Sequence, residues 1–228
     1  RFVGEAVAMI VADTLAQARD AAEMIELEID DLPAKLDLAA GGETIHSEAP
    51  NNRAFDWGLG DEEATQAAFD AAARTVSLEV GDNRIIVNSM EPRGCFAEWQ
   101  GNRLHLAFGG QGVWGMKTQL AAKLGLDEDQ VRVTNPDVGG GFGMKGMAYP
   151  EYFSVAQAAR LLGRPVRWMS DRTEAMLSDN AGRDLVSLAE LAFDAEHRIT
   201  AYRVRTRCNL GAYNSQFGQP IQTMLFSR

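Results

Sequence analysis

The sequence predicts an α+β fold in which mixed sheets are flanked by helices, and three observations predict it. Residues 84–108 and 184–213 each alternate apolar and polar positions on both sides of a turn, the pattern of antiparallel hairpins. Residues 113–124 and 151–162 carry apolar side chains at helical spacing and each follows a strand pattern, as helices covering a sheet do. The first thirty residues read as strand, helix and strand.

Taken in order, residues 2–11 form an apolar, β-prone run that reads as a strand. Asp13 or Thr14 can cap the next segment, where Leu15, Ala18, Ala22 and Ile25 recur with helical period. Residues 25–30 alternate Ile25, Leu27 and Ile29 with acids, a half-exposed strand. Residues 37–60 hold glycine pairs and Pro50-Asn51-Asn52 without a clean period and read as a connector. Residues 61–73 read as a helix whose first-turn acids suit the helix dipole. Strands follow at TVSLEV and over 84–99, the latter interrupted by Glu91-Pro92-Arg93-Gly94. The turn Gln100-Gly101-Asn102 returns the chain into RLHLAF. After the helix 113–124 come the short strand VRVT, the loop NPDVGGGFGMKG, a helix at 151–162 with Pro150 at its start, and the strand PVRWM. Residues 184–194 and 199–213 flank Glu196-His197 as a long hairpin.

Composition narrows the function classes. A net charge of −10 argues against a nucleic-acid binder, which presents a basic face. No apolar run approaches the roughly 20 residues of a membrane span, and no secretory leader pattern is visible, so a cytoplasmic protein without a membrane span is expected. Cys95 and Cys208 lie in no C-x-x-C or Cys/His cluster, so a structural metal, an iron–sulfur cluster or a disulfide scaffold held by this chain is not expected. The chain starts at Arg1 in mid-pattern and stops at Arg228 just past an apolar stretch, and a piece of a longer protein is expected.

The sharpest local feature is Gly139-Gly140-Gly141-Phe142-Gly143. A backbone this bare lets successive N–H groups face one anion, or lets a bulky group press on the main chain. Gly141–Gly146 also matches G-x-G-x-x-G, so a nicotinamide-dinucleotide dehydrogenase is an alternative. Against it, the strand ends near Asn135-Pro136 and Pro150 delays the helix, which removes the tight strand–turn–helix. A plain glycine turn, in a segment serving only assembly, is a further alternative. Gly109-Gly110-Gln111-Gly112 is the second candidate, a glutamine amide held just before a helix, or else an ordinary helix start. Two such loops could hold two sides of one large polar cofactor. Glu91-Pro92-Arg93 reads either as a pocket carboxylate with an arginine partner or, slightly better, as a strand-edge bulge with a surface ion pair. The stretch 164–174 reads as salt-bridged surface, and His46, His105 and His197 form no catalytic arrangement.

The motif series RFVGEAVA, MEPRGCFAEW, GGQGVWGMKTQLAAKLGL, VRVTNPDVGGGFGMK, RPVRWMSDRTE, AGRD and NLGAY resembles, in order and spacing, the molybdenum-binding large subunit of the xanthine dehydrogenase, aldehyde oxidase and carbon monoxide dehydrogenase family. The resemblance implies that residues 1–40 end an α/β hammerhead domain, that 41–60 connect, and that 61–228 begin the molybdopterin-binding domain. It implies a molybdenum–molybdopterin cofactor, in the cytosine dinucleotide form, and hydroxylation of a small carbonyl, N-heterocyclic or C1 substrate by metal-bound hydroxide with hydride passing to a sulfido ligand. It implies 2Fe-2S clusters and FAD on an iron–sulfur small subunit and an FAD-binding medium subunit, assembled as a dimer of heterotrimers. Gln111 matches the family glutamine that hydrogen-bonds a molybdenum oxo ligand. Gly141, Phe142 and Gly143 match the loop packed against the metal centre, and Gly110 and Gly112 flank the glutamine on the pterin side. The family's catalytic glutamate is expected beyond Arg228, so these residues alone are expected to be inactive. Purine-oxidising members place a glutamate where this chain has Gly146, which argues against xanthine.

Overall fold

A computed structural model describes residues 2–213 and 215–225. Arg1, Asn214 and the last three residues, which the expectations for 1–40 and 61–228 include, lie outside the described residues. Contacts divide the chain into two units, each built from two separate stretches: 1–31 with 86–181, and 32–85 with 182–228.

The first unit is a four-stranded sheet under two helices. Strands β2 (Gly94–Gln100) and β3 (Arg103–Phe108) form the expected hairpin, and β4 (Val131–Thr134) and β5 (Val166–Met169) complete the order β4-β3-β2-β5. Strand β4 runs parallel to β3, so the chain must cross over between them, and helix α3 (Val113–Leu124) is that crossover. Helix α4 (Pro150–Leu162) begins at the proline as expected and packs on α3, β2 and β5. Register explains the core. Val133, Leu106, Ala97 and Val166 form one row across the sheet, and Phe108, Cys95 and Trp168 form the next. These rows meet Met116, Leu120 and Ala121 of α3 and Tyr152, Val155, Ala156 and Ala159 of α4. The opposite face mixes Phe96 and Ala107 with polar residues, among them His105, bonded to Glu98 at 3.2 Å and to Thr134 at 2.9 Å. Leu106 has no exposed surface. Leu106→Ala should therefore destabilise the protein by about 2–5 kcal/mol, read as a lowered urea midpoint.

The second unit is the antiparallel sheet β1-β6-β7, formed by β1 (Arg74–Asp82), β6 (Leu185–Phe193) and β7 (Ile199–Cys208). Helix α2 (Glu62–Asp70), capped by Asp61, packs on β7. There Arg203 bonds Glu190 at 2.8 Å and Gln66 at 3.0 Å, and it lies 4.2 Å above the Phe69 ring.

Several expectations need correction. Residues 2–11 and 25–30 form no strand, because no described strand offers them a hydrogen-bonded ladder. Between them, helix α1 (Leu15–Ala22) does form, and Thr14, not Asp13, caps it in a reciprocal box with Gln17. The strand expected over 84–99 begins at Gly94, since Pro92 lacks the N–H a ladder needs, and Ile85 makes an isolated bridge to Gly182 instead. The last strand ends at Cys208 rather than 213, where Asn209 accepts the Gly211 N–H in a local turn. Within the expected salt-bridged surface at 164–174 a helix appears, α5 (Arg172–Ser178), capped by Asp171. The exposed pairs Arg164–Asp13 and Arg19–Asp171 are the salt-bridged surface expected of that stretch. Among the described residues no helix is long and apolar enough to cross a membrane.

Candidate functional site

The parallel pairing of β3 and β4 decides where the two glycine loops go. Loops leaving the carboxyl ends of neighbouring parallel strands emerge at the same sheet edge, where open sheets of this kind bind ligands. The loop Gly109–Gly112 leaves β3 for α3, and the loop 135–149 leaves β4 for α4. Strand β2 is antiparallel to β3, so its start, with Glu91 and Arg93 just before it, lies at that edge too.

The loops touch. The Gln111 N–H donates to the Lys145 carbonyl at 3.1 Å. The Gln111 side chain lies over the bare Cα of Gly141, where an added Cβ would come within 2.6 Å of its Cδ. Asn135 donates to the Gly110 carbonyl, while its Oδ1 is buried without a partner. Gly110 is packed under the Phe108 ring. Helix α3 starts from Gly112, at φ 113°, with no side-chain cap. Its first N–H groups therefore lack the partner a Ser or Asp would supply and face the loops. Phe142 is an outlier on two counts: its φ of 51° lies in the left-handed region, and it is 75% exposed. Holding a bulky residue there costs about 1–3 kcal/mol, and such strain collects at functional sites. All six residues singled out in the sequence, Gly110, Gln111, Gly112, Gly141, Phe142 and Gly143, thus come together on one edge of one unit.

The glycines of Gly141–Gly146 do not sit on the first turn of a helix. Gly143 leads only into the short turn Met144–Gly146, and α4 starts at Pro150. The strand–turn–helix of a dinucleotide fingerprint is therefore absent here.

The surface ion pair expected at Glu91-Pro92-Arg93 is overturned. Arg93 has no exposed surface. It donates to both oxygens of Glu151, at 3.0 and 3.2 Å, to Ser178 at 3.1 Å, and to Asp179. Its guanidinium stacks 3.6 Å from the Tyr149 ring centroid. Burial opposes the charge, but the bonds and charges of Glu151 and Asp179 outweigh it and hold the guanidinium above its ordinary pKa. Burial pushes the Asp179 carboxyl up despite its arginine, and it pushes Glu174 up with help from the Glu151 charge. The Cys95 thiol is pushed up to about 12, mainly by burial, which makes it an inert core residue. Glu91 pairs instead with Lys145, whose hydrogen bond draws its carboxyl below the ordinary range. The sequence reading missed Lys145, Asn135, Tyr149 and Asp179. Charges inside an otherwise apolar strand start were the available signal for Glu91 and Arg93, but their partners lie 48 to 86 residues away.

Residues 45–228 match the molybdopterin cofactor-binding domain family. The chain is 35% identical to the nicotine 6-hydroxylase large subunit of Paenarthrobacter nicotinovorans, over 98% of this chain and 28% of that protein. It is 32% identical to the carbon monoxide dehydrogenase large chain of Hydrogenophaga pseudoflava, over 94% of this chain and 29% of that protein. Among solved structures it resembles quinoline 2-oxidoreductase from Pseudomonas putida 86 with a TM-score of 0.79 and 33% identity, over 95% of this chain and 28% of that one. The chain therefore spans less than a third of the length of these relatives.

Proposed function

The chain belongs to the molybdopterin cofactor-binding domain family, and from that premise we propose that its two glycine loops cradle a molybdenum–molybdopterin cofactor in a molybdenum hydroxylase. The observation that carries this reading is Phe142, strained and exposed beside Gln111 on the edge the loops share.

The residues present fit such a group. A Cβ at Gly141 would fill the space the Gln111 side chain occupies. The uncapped start of α3 offers N–H groups to an anionic cofactor, and the orphaned Asn135 Oδ1 offers an acceptor. In this reading Gln111 presents its side-chain amide to the polar face of the cofactor. Phe142 covers the cofactor and keeps water from one side of it, while Gly110, Gly112, Gly141 and Gly143 let the backbone approach. When bound, the cofactor supplies the hydroxylating and two-electron redox chemistry, and the protein supplies position and electrostatics.

The finer points of the proposal follow the resemblance. Residues 1–40 close an α/β hammerhead domain, 41–60 connect, and 61–228 begin the cofactor domain. The cofactor takes the cytosine dinucleotide form, and the base that accepts a proton lies outside these 228 residues. The partners would be an iron–sulfur small subunit and an FAD-binding medium subunit, whose 2Fe-2S clusters and FAD would take up the electrons, in a dimer of heterotrimers in the cytoplasm. Three relatives bear the names of nicotine, carbon monoxide and quinoline enzymes. These names support a small N-heterocyclic or C1 substrate, the carbonyl alternative follows the resemblance alone, and Gly146 supplies no carboxylate for a purine.

The test is elemental and pterin analysis of the full protein purified with its partner subunits. About one molybdenum and one pterin per chain is the expected result. Absence of both from a complex made by cells with an intact cofactor pathway would sink the proposal.

A further inference from the structure

The functional reading gives Lys145 no task, yet this lysine has no exposed surface. A buried ammonium is costly unless it is paired, and a residue such as methionine would fill the same space without that cost. What the lysine holds is therefore informative. Its Nζ donates to Glu91 Oε2 at 2.7 Å. The same oxygen accepts the Gly139 N–H at 2.8 Å, and the Glu91 N–H donates to the Gly139 carbonyl at 3.1 Å. Glu91 thus grips the first glycine of one loop with both side chain and backbone. It also lies beside the other loop, where a Cβ at Gly109 would come within 3.2 Å of its carboxylate. The backbone of Lys145 completes the arrangement. Its carbonyl accepts the Gln111 N–H at 3.1 Å, and its N–H donates to the Gly141 carbonyl at 3.3 Å.

We propose that Lys145 and Glu91 are positioning residues, a cross-tie that sets the Gln111 loop and the Gly139–Gly143 loop at a fixed separation. The cofactor reading says what the two loops hold, and the proposal rests on it to that extent. The tie itself is a matter of this chain alone. Glu91 joins the start of β2 to Gly139, and Lys145 joins Glu91 to Gln111. A shift of either loop must then move the other, so Gln111 and Phe142 keep one relative geometry. Misplacement by about 1 Å is enough to lower a rate 10²-fold, which gives the tie a reason to be charged and hydrogen-bonded rather than greasy.

The experiment uses the complete complex with Lys145→Met, read by amide hydrogen exchange and by the Mo(V) electron paramagnetic resonance signal after dithionite reduction. The amides of Gly139 and Gln111 should exchange about ten-fold faster or more, while Leu104 and Leu106 keep their wild-type protection. The Mo(V) signal should broaden or shift, a change that lost stability alone does not produce. Lys145→Arg should restore much of the wild-type signal. If Lys145→Met does not assemble, Glu91→Gln decides, because it keeps an acceptor for the Gly139 N–H and removes only the charge. Faster exchange at one loop alone, a uniform rise across the chain, or an unchanged Mo(V) signal overturns the proposal. A wild-type complex without molybdenum sinks the cofactor reading only, and the exchange of Gly139 and Gln111 then still judges the tie.

Discussion

Arg93→Met should destabilise the protein by about 3–5 kcal/mol at neutral pH, the usual result of removing one partner of a buried ion pair. Arg93 joins the start of β2 to the first turn of α4, through Glu151, and to the end of α5, through Ser178 and Asp179. The Asp179 side chain is 1% exposed and that of Glu151 13%, so neither can turn to water when the cation goes. At about 2–4 °C per kcal/mol for a chain of this size, the loss is a large drop in the thermal midpoint. Its pH dependence has a definite sign. The Asp179 and Glu174 carboxyls already sit above their ordinary range through burial. A carboxyl whose folded pKa is raised destabilises the fold above that pKa and is relieved as the pH falls through it. Without Arg93 these carboxyls rise further, so the variant gains more from acidification than the wild type. The deficit measured at pH 7 should therefore narrow at pH 5. A midpoint unchanged at pH 7, or a deficit that widens in acid, would contradict this account of the cluster.

Gly141→Ala should have the opposite profile: little loss of stability and a large loss of activity. Gly141 does not have a positive φ, so alanine adopts its backbone without strain. The objection is space, because the new Cβ would lie 2.6–2.7 Å from Cδ, Cγ and Oε1 of Gln111. Those atoms belong to the far end of a flexible, exposed side chain, which swings aside at small cost. The amide that faces the cofactor in the proposed function then points elsewhere. Loss of one such preorganised donor typically lowers turnover about 10²- to 10³-fold. The measurement is steady-state turnover by the complete complex, with whichever substrate of an N-heterocycle, aldehyde and carbon monoxide panel the wild type oxidises. Molybdenum content and thermal midpoint are followed in parallel. Retained molybdenum, a midpoint within about 2 °C and a rate down by two orders of magnitude are expected. Full activity would remove Gln111 from the site. Gly139→Ala is the contrasting case, because its Cβ would meet the Glu91 Cβ at 2.5 Å. That atom is bonded directly to the Glu91 Cα and cannot swing away, so the whole loop must move and both stability and activity fall.

The two sets of features, fold and site, were legible in the sequence to different depths. Elements written in local chemistry were readable: the β2–β3 hairpin around Gln100-Gly101-Asn102, α4 started by Pro150, and α1 capped at Thr14. Residues 2–11 misled because a β-prone run becomes a strand only where another strand takes up its hydrogen bonds, and that partner is not a local property. Helix α5 was hidden by its seven-residue length, although Asp171 and Glu174 carry a capping pattern. The two loops were legible as candidates because bare backbone is a local signal. The roles of Gly110, Gln111, Gly112, Gly141, Phe142 and Gly143 as cofactor-binding residues follow from the resemblance alone.

The sequence by itself determined which segments turn, which cap and which lack side chains, since these depend on neighbours a few residues away. Only the tertiary structure decided that the two loops face one another. That depends on β3 and β4 pairing in parallel, which brings both carboxyl ends to one edge. It also decided that Arg93 and Lys145 are buried charges rather than solvated ones. Glu151, Asp179 and Glu91 are distant in the chain, and a charge goes inside only where folding brings its partners to it.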